Sequence, residues 1–128
     1  MVRDINSLSA TPKSSMTAVG GLLYFVASSP LGVELWKSDG TPAGTIVVRD
    51  INPGTAGSNP TSLTNVNGTL FFVADDGITG PDLWRSDGTT SGTVLVSDLP
   101  TPPESLTKAG GTLYFVEDEF TNGAELWK

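Results

Sequence analysis

An all-β fold of three repeated four-stranded antiparallel units is what the sequence predicts, and three observations predict it. The stretch ELWKSDGTPAGT at 34–45 recurs as DLWRSDGTTSGT at 82–93 and begins a third time as AELWK at 124–128. The 128 residues include 15 Gly and 9 Pro, which punctuate short runs of Val, Thr, Leu and aromatic residues, the composition of many strands and many turns. The longest apolar runs, such as GLLYFVA at 21–27, are strand-sized, far below the roughly 18–20 residues a membrane-spanning helix needs.

Superposing the chain on Trp36, Trp84 and Trp127 defines the unit, with spacings of 48 and 43 residues. Blade 1 is expected over 15–51, blade 2 over 62–99 and blade 3 over 105–128. Each opens on a Thr-containing strand: SMTAVGG (15–21), SLTNVNG (62–68) and SLTKAGG (105–111). The second strand follows as LLYFVAS, TLFFVAD or TLYFVED, and it is apolar on consecutive positions, as in Leu70, Phe71, Phe72 and Val73. Both faces of such a strand must be covered, which a lone sheet cannot do. Sheets stacked face to face around an axis cover both, so the units are expected to be blades of a β-propeller, whose repeat length this period fits. The third strand is VELWK, PDLWR or AELWK, and the fourth is TIVVRDI (45–51) or TVLVSDL (93–99). Blade 3 stops before its outermost strand. Residues 1–14 open with VRDI (2–5), which repeats the end of VVRDI (47–51), and are expected to be a spare outer-strand remnant and loop. Three blades would each have to sweep about 120°, splaying faces that pack roughly 10 Å apart. Propellers typically have about 4–8 blades, so the expected closed form is a homo-oligomer, a six-bladed dimer with a nine-bladed trimer as the alternative.

Composition narrows the function. A net charge of −7 with seven scattered basic residues opposes binding to nucleic acid or to an anionic membrane, which needs a clustered basic face. No membrane insertion is expected, and the amino end carries no signal-peptide core. The chain has no Cys and no His, which removes thiol chemistry, the commonest general base and the commonest transition-metal ligand. The expectation is a protein that is not an enzyme.

The pattern G-T-L-Y-F-V … E-L-W-x-S-D-G-T … G-T resembles the bacterial ELWxxDGT repeat family along essentially the whole chain. ELWKSDGT is intact at 34–41, DLWRSDGT departs at Asp82 and Arg85, and the third copy is truncated. The resemblance implies a propeller-like β fold in secreted or surface-associated bacterial proteins, hence an extracellular or cell-surface location, and it brings no catalytic residues. Gly20-Gly21 and Gly110-Gly111 also sit where a kelch-type blade has its double glycine, a likeness of fold alone.

Among the repeated residues, Asp39 and Asp87 are expected to accept amides of their own Ser-Asp-Gly-Thr turn while Gly40 and Gly88 supply positive φ. Calcium ligation is the competing reading. Trp36, Trp84 and Trp127 are expected to fill space between blades, against an aromatic sugar-stacking ring. Asp75, Asp76 and Asp82, with Glu117, Asp118 and Glu119, are the densest acidic groups and the candidate ligand-binding loops. A solvated acidic surface is the leading reading there. Calcium, with Asp75 and Asp76 as its weak candidates, comes second, and glycoside hydrolysis by paired carboxylates third. The loops between strands 2 and 3, and between strands 4 and 1, differ in length and share one end of the meander, the natural ligand surface for a protein or a glycan. The function expected is a non-catalytic binding or scaffolding module that self-assembles through blade completion. The alternative is a glycan-binding lectin or glycan-active enzyme using the acidic loop face.

Overall fold

A computed structural model describes residues 15–119 and 123–128; the expected remnant at 1–14 lies outside the described residues. The chain is all-β, with no helix among the described residues, and none therefore long and apolar enough to cross a membrane. Three antiparallel sheets follow one another along the sequence. The first holds β1 (Met16–Val19), β2 (Leu22–Ser29), β3 (Gly32–Ser38) and β4 (Ile46–Val47) in that order. The second holds β5 (Thr61–Val66), β6 (Thr69–Asp75), β7 (Pro81–Ser86) and β8 (Val94–Ser97). The third holds β9 (Glu104–Ala109), β10 (Thr112–Glu119) and β11 (Gly123–Trp127), with β10 central. Two-residue turns close the first hairpins. Gly20 and Gly21 (φ 57° and 82°), like Asn67 and Gly68 (φ 52° and 89°), take the paired left-handed conformation that matches strand twist.

Pairing assigns the faces. Phe72 lies opposite Trp84 and Ala74 opposite Asp82, while Val73 lies opposite Leu83 on the other side of the same sheet. Leu70, Phe72, Ala74 and Trp84 pack with Val19, Tyr24, Leu35, Val48 and Ile51 of the first sheet, forming one core. The reverse face of the second sheet, through Val66, Leu83 and Phe71, packs with Leu113 and Phe115 of the third. The consecutive apolar residues of β6 are therefore divided between two neighbours, which is why the strand does not alternate apolar and polar.

The first strands of the three sheets lie beside one another. Thr17 Oγ1 donates to the Leu63 carbonyl at 3.1 Å, and Thr64 Oγ1 to the Leu106 carbonyl at 3.5 Å, the same link made one unit later. Register shifts in β5 and β9 accompany these contacts, with Ser62 and Ser105 at φ 56° and 55°. Asn65 Nδ2 adds a bond to the Ala18 carbonyl at 2.9 Å.

The fourth strands are shorter than the β-branched runs suggest. β4 covers two residues because the chain leaves the ladder after Val48, whose amide still reaches the Leu35 carbonyl at 2.8 Å, and Ile51 turns its amide inward. No strand pairs with the free side of β11 among the described residues. Trp84, flanked by β8 and covered by the first sheet, is 5% exposed, whereas Trp127 is 41% exposed and does not fill a closed core. Arg49 stacks over the Trp84 ring at 5.9 Å, and the Trp84 indole nitrogen makes no hydrogen bond among the described residues. Trp84→Ala is expected to destabilise the protein by about 3–5 kcal/mol, the cost of emptying a buried aromatic site. Trp127→Ala should cost less than half as much, and parallel chemical denaturation of the two variants measures the difference.

Candidate functional site

The two Ser-Asp-Gly-Thr turns are the same structure made twice. Asp39 Oδ1 accepts from the Thr41 amide (2.9 Å) and hydroxyl (2.7 Å), and Asp87 Oδ1 accepts from Thr89 at 2.8 and 2.7 Å. The threonine hydroxyl in turn accepts the amide of Gly44 or Gly92, at 2.9 Å in both. Ser38 bonds Thr45 at 2.8 Å and Ser86 bonds Thr93 at 2.7 Å, hydroxyl to hydroxyl, beneath the turn. Gly40 and Gly88 both have φ 92°, and a Cβ on Gly44 or Gly92 would collide with the Asp39 or Asp87 carboxyl. Bonds from the Thr41 and Thr89 hydroxyls, then from their amides, hold both aspartates below the ordinary 3.8. The second turn also leans on the first sheet. Lys37 Nζ donates to the Gly88 carbonyl at 2.6 Å, Thr90 Oγ1 to the Val48 carbonyl at 3.0 Å, and Arg49 Nη1 to the Thr93 carbonyl at 2.6 Å.

At the opposite end, the acid preceding Leu-Trp is a buried bracket. Glu34 accepts the Ser58 amide (2.8 Å), the Ser58 hydroxyl and the Ile51 amide (3.4 Å). Asp82 accepts the Leu99 amide at 3.0 Å and the Thr79 hydroxyl at 2.6 Å. Ile51 and Leu99 are equivalent in the repeat, so each acid ties its strand to the end of the fourth run. Burial raises the Glu34 carboxyl above its ordinary 4.5, against the opposing effect of the Ser58, Ile51 and Asn52 bonds. Asp82, expected on a solvated acidic loop, is instead buried with both oxygens engaged. Glu34 and Ser58 escaped the sequence reading. The recurrence of an acid at one register was the available signal, but the distance in sequence to its partners concealed the role.

The remaining acidic candidates separate. Asp75 Oδ1 accepts the Gly77 amide at 2.7 Å, and Asp76 Oδ1 accepts the Ile78 and Thr79 amides at 2.9 and 3.1 Å. Chiefly the Ile78 bond holds Asp76 below 3.8. Asp118 is exposed, and the Glu119 side chain lies outside the described residues. Glu117 is buried directly opposite Glu125, in the register where the other two sheets place Ala27 opposite Glu34 and Ala74 opposite Asp82. Its Oε1 has no hydrogen-bond partner among the described residues. No group of three or more metal-ligating side chains occurs among the described residues.

These loops form a connected rim. Asn59 N donates to the Val33 carbonyl (3.0 Å), Asp75 N to the Ser58 carbonyl (2.9 Å) and Thr101 Oγ1 to the Asp118 carbonyl (3.0 Å). Gly32 and Gly57 touch so closely that neither tolerates a Cβ. Exposed Ile78 projects from this rim. Between the second and third sheets lies an open apolar cleft of about 440 Å³, bordered by Phe71, Val96, Leu99, Phe115, Trp127 and Lys128. In the matching zone between the first and second sheets the second turn reaches across to Val48 and Arg49.

Carboxyl titration by NMR should place Glu34 above 4.5 and Asp39, Asp76 and Asp87 below 3.8. The sign for stability follows from linkage. The depressed aspartates stabilise the fold above 3.8, an effect lost as pH falls through their folded values. Raised Glu34 favours the fold while protonated and loses that contribution as pH rises through its folded value. Saturating calcium should leave the melting temperature unchanged, since Asp75 Oδ1 and Asp76 Oδ1 already accept amides of their own loop and Asp82 is engaged by the Leu99 amide and the Thr79 hydroxyl. A ligand at 100 times its dissociation constant would add about 2.7 kcal/mol, and a calorimetric scan with and without calcium resolves the two outcomes.

In comparisons with known proteins, no family model, no curated protein and no solved structure matches this chain.

Proposed function

We propose that the chain is a non-catalytic β-propeller binding and scaffolding module that self-assembles by completing its own blades. The observation that carries the reading is the side-by-side placement of β1, β5 and β9, joined by the same Thr-to-carbonyl link at each step, with the sheets packed face to face outward from them. Strands radiating from a shared inner edge are the layout of propeller blades. The carboxylates that recur in the repeat, Asp39, Asp87, Glu34 and Asp82, are occupied by backbone amides and hydroxyls of their own frame, which favours scaffold over catalysis. The interlocked rim of variable loops is the surface on which a protein or glycan would dock. Membership of the ELWxxDGT repeats, and with it a place in a secreted or surface-associated bacterial protein, accords with these features.

Blade completion is the natural use of the β11 edge, which pairs with no further strand among the described residues. The VRDI segment at 2–5 has the sequence of 48–51, the run that follows β4 in the first sheet. A copy of that segment from a second chain would give β11 its outer neighbour. Sedimentation equilibrium should therefore return two or three times the 13.3 kDa chain mass. Deleting residues 1–6 should shift the protein towards monomer and lower its melting temperature. A stable monomer indifferent to the deletion overturns self-assembly.

A further inference from the structure

We infer that copies of this chain meet head to tail, the open face of the third sheet seating on the open face of the first sheet of the next copy. The inference rests on the self-assembly reading above and specifies its interface. The argument is a comparison of equivalent positions. The face that each sheet presents to its successor is carried by the leucine of Glu/Asp-Leu-Trp. Leu35 is 0% exposed and Leu83 is 3% exposed, each buried by the sheet that follows, but Leu126 is 72% exposed. Around it, Tyr114 and Val116 occupy the positions of Tyr24 and Val26 in the first sheet and of Phe71 and Val73 in the second.

The face presented to a predecessor shows the complementary pattern. Leu70 and Leu113 are 0% and 9% exposed beneath the preceding sheet, whereas Leu23, their equivalent in the first sheet, is 41% exposed. Leu63 and Leu106 pack into the two intersheet cores, whereas Met16, at the same place in its unit, is 62% exposed. The chain thus buries this pair of faces against each other twice. It leaves open the outer face of the third sheet and, on the first sheet, the inner part of the facing side around Met16 and Leu23, while Ala27 and Trp36 farther out on that side are buried at 6% and 7%. The occupant that already fits each open face is the other one, borne by a second copy.

The polar seam has the same direction. Thr17 donates to the Leu63 carbonyl and Thr64 to the Leu106 carbonyl, so the next step of the series runs from Thr107 to the Met16 carbonyl of the arriving copy. An interface joining two different faces is heterologous, and it closes into a ring when its rotation divides the circle. Both interfaces inside the chain join the same pair of faces through the same Thr-to-carbonyl link, so a third of that kind continues the series.

Two exposed positions test this without emptying the core of either interface inside the chain. Leu126→Asp spoils the trailing face and Leu23→Asp the leading face. At a concentration where the wild type assembles, each variant alone should sediment as a monomer of 13.3 kDa, and an equimolar mixture should double in mass, because one intact pair of faces remains. Assembly of either variant alone at wild-type strength overturns the inference, and so does a mixture that stays monomeric. A monomeric wild type would instead defeat self-assembly itself. Should either variant lose its β-sheet circular dichroism, a chain free of cysteine permits a second test. Thr107→Cys mixed with Met16→Cys should yield a disulfide-linked heterodimer under oxidation. Equal or greater linking of each variant to itself would overturn the head-to-tail contact.

Discussion

A β-strand that is apolar on consecutive residues has to be covered from both sides, and in this protein that requirement organises everything else. Leu70, Phe72 and Ala74 turn to one neighbouring sheet, while Phe71 and Val73 turn to the other. Stacked sheets satisfy the demand only if each turns sharply at its ends and holds its register against its neighbour, since a shift of one residue would exchange the two faces. The paired left-handed turn between the first two strands and the Ser-Asp-Gly-Thr turn between the last two perform that task. Both act at the backbone, where a repeated sequence can specify the same geometry in units whose side-chain cores differ.

The polar residues that recur serve the stack from within. A carboxylate placed inside a fold is costly unless its oxygens find donors. Glu34 and Asp82 find theirs in the Ile51 and Leu99 amides, where the fourth run leaves its ladder, and, for Glu34, in the Ser58 amide of the connection that follows. The two acids differ by one methylene because their surroundings differ. Glu34 reaches across to Ser58 in the long connection to the next sheet, whereas the shorter Asp82 meets Thr79 in its own loop. Variable loops are thereby anchored to an invariant frame. Their tips can differ without loosening the sheets, the condition for a scaffold that carries a binding surface. Glu117 breaks the pattern, placing a buried carboxylate opposite the half-buried Glu125 in a sheet with no strand beyond β11 among the described residues.

Local signals in the sequence were legible wherever the structural cause is itself local. The strands, their antiparallel order, the hairpin glycines and the self-bonded Asp39 and Asp87 all depend on residues a few positions apart. The acidic candidates were not legible in the same way. Asp75, Asp76 and Asp82 are neighbours in sequence, yet the first two cap a loop and the third is buried at the start of the next strand. Period-two alternation turns Asp82 inward together with Trp84, and the loop composition hid that phase. Likewise Trp36, Trp84 and Trp127 read as equivalent, although the cover over a tryptophan comes from strands that the motif does not contain.

By itself, then, the sequence determined the repeat, the all-β class, the turn chemistry and the absence of thiol and imidazole chemistry, because each is a property of composition or of contacts between close neighbours along the chain. Only the tertiary structure decided which acids are buried, which tryptophan is open and which faces remain uncovered. Those outcomes depend on partners 17 to 51 residues away, as in the bonds from Ile51 to Glu34 and from Lys37 to Gly88. Identical motifs acquire different environments once one sheet has two neighbours and another has one.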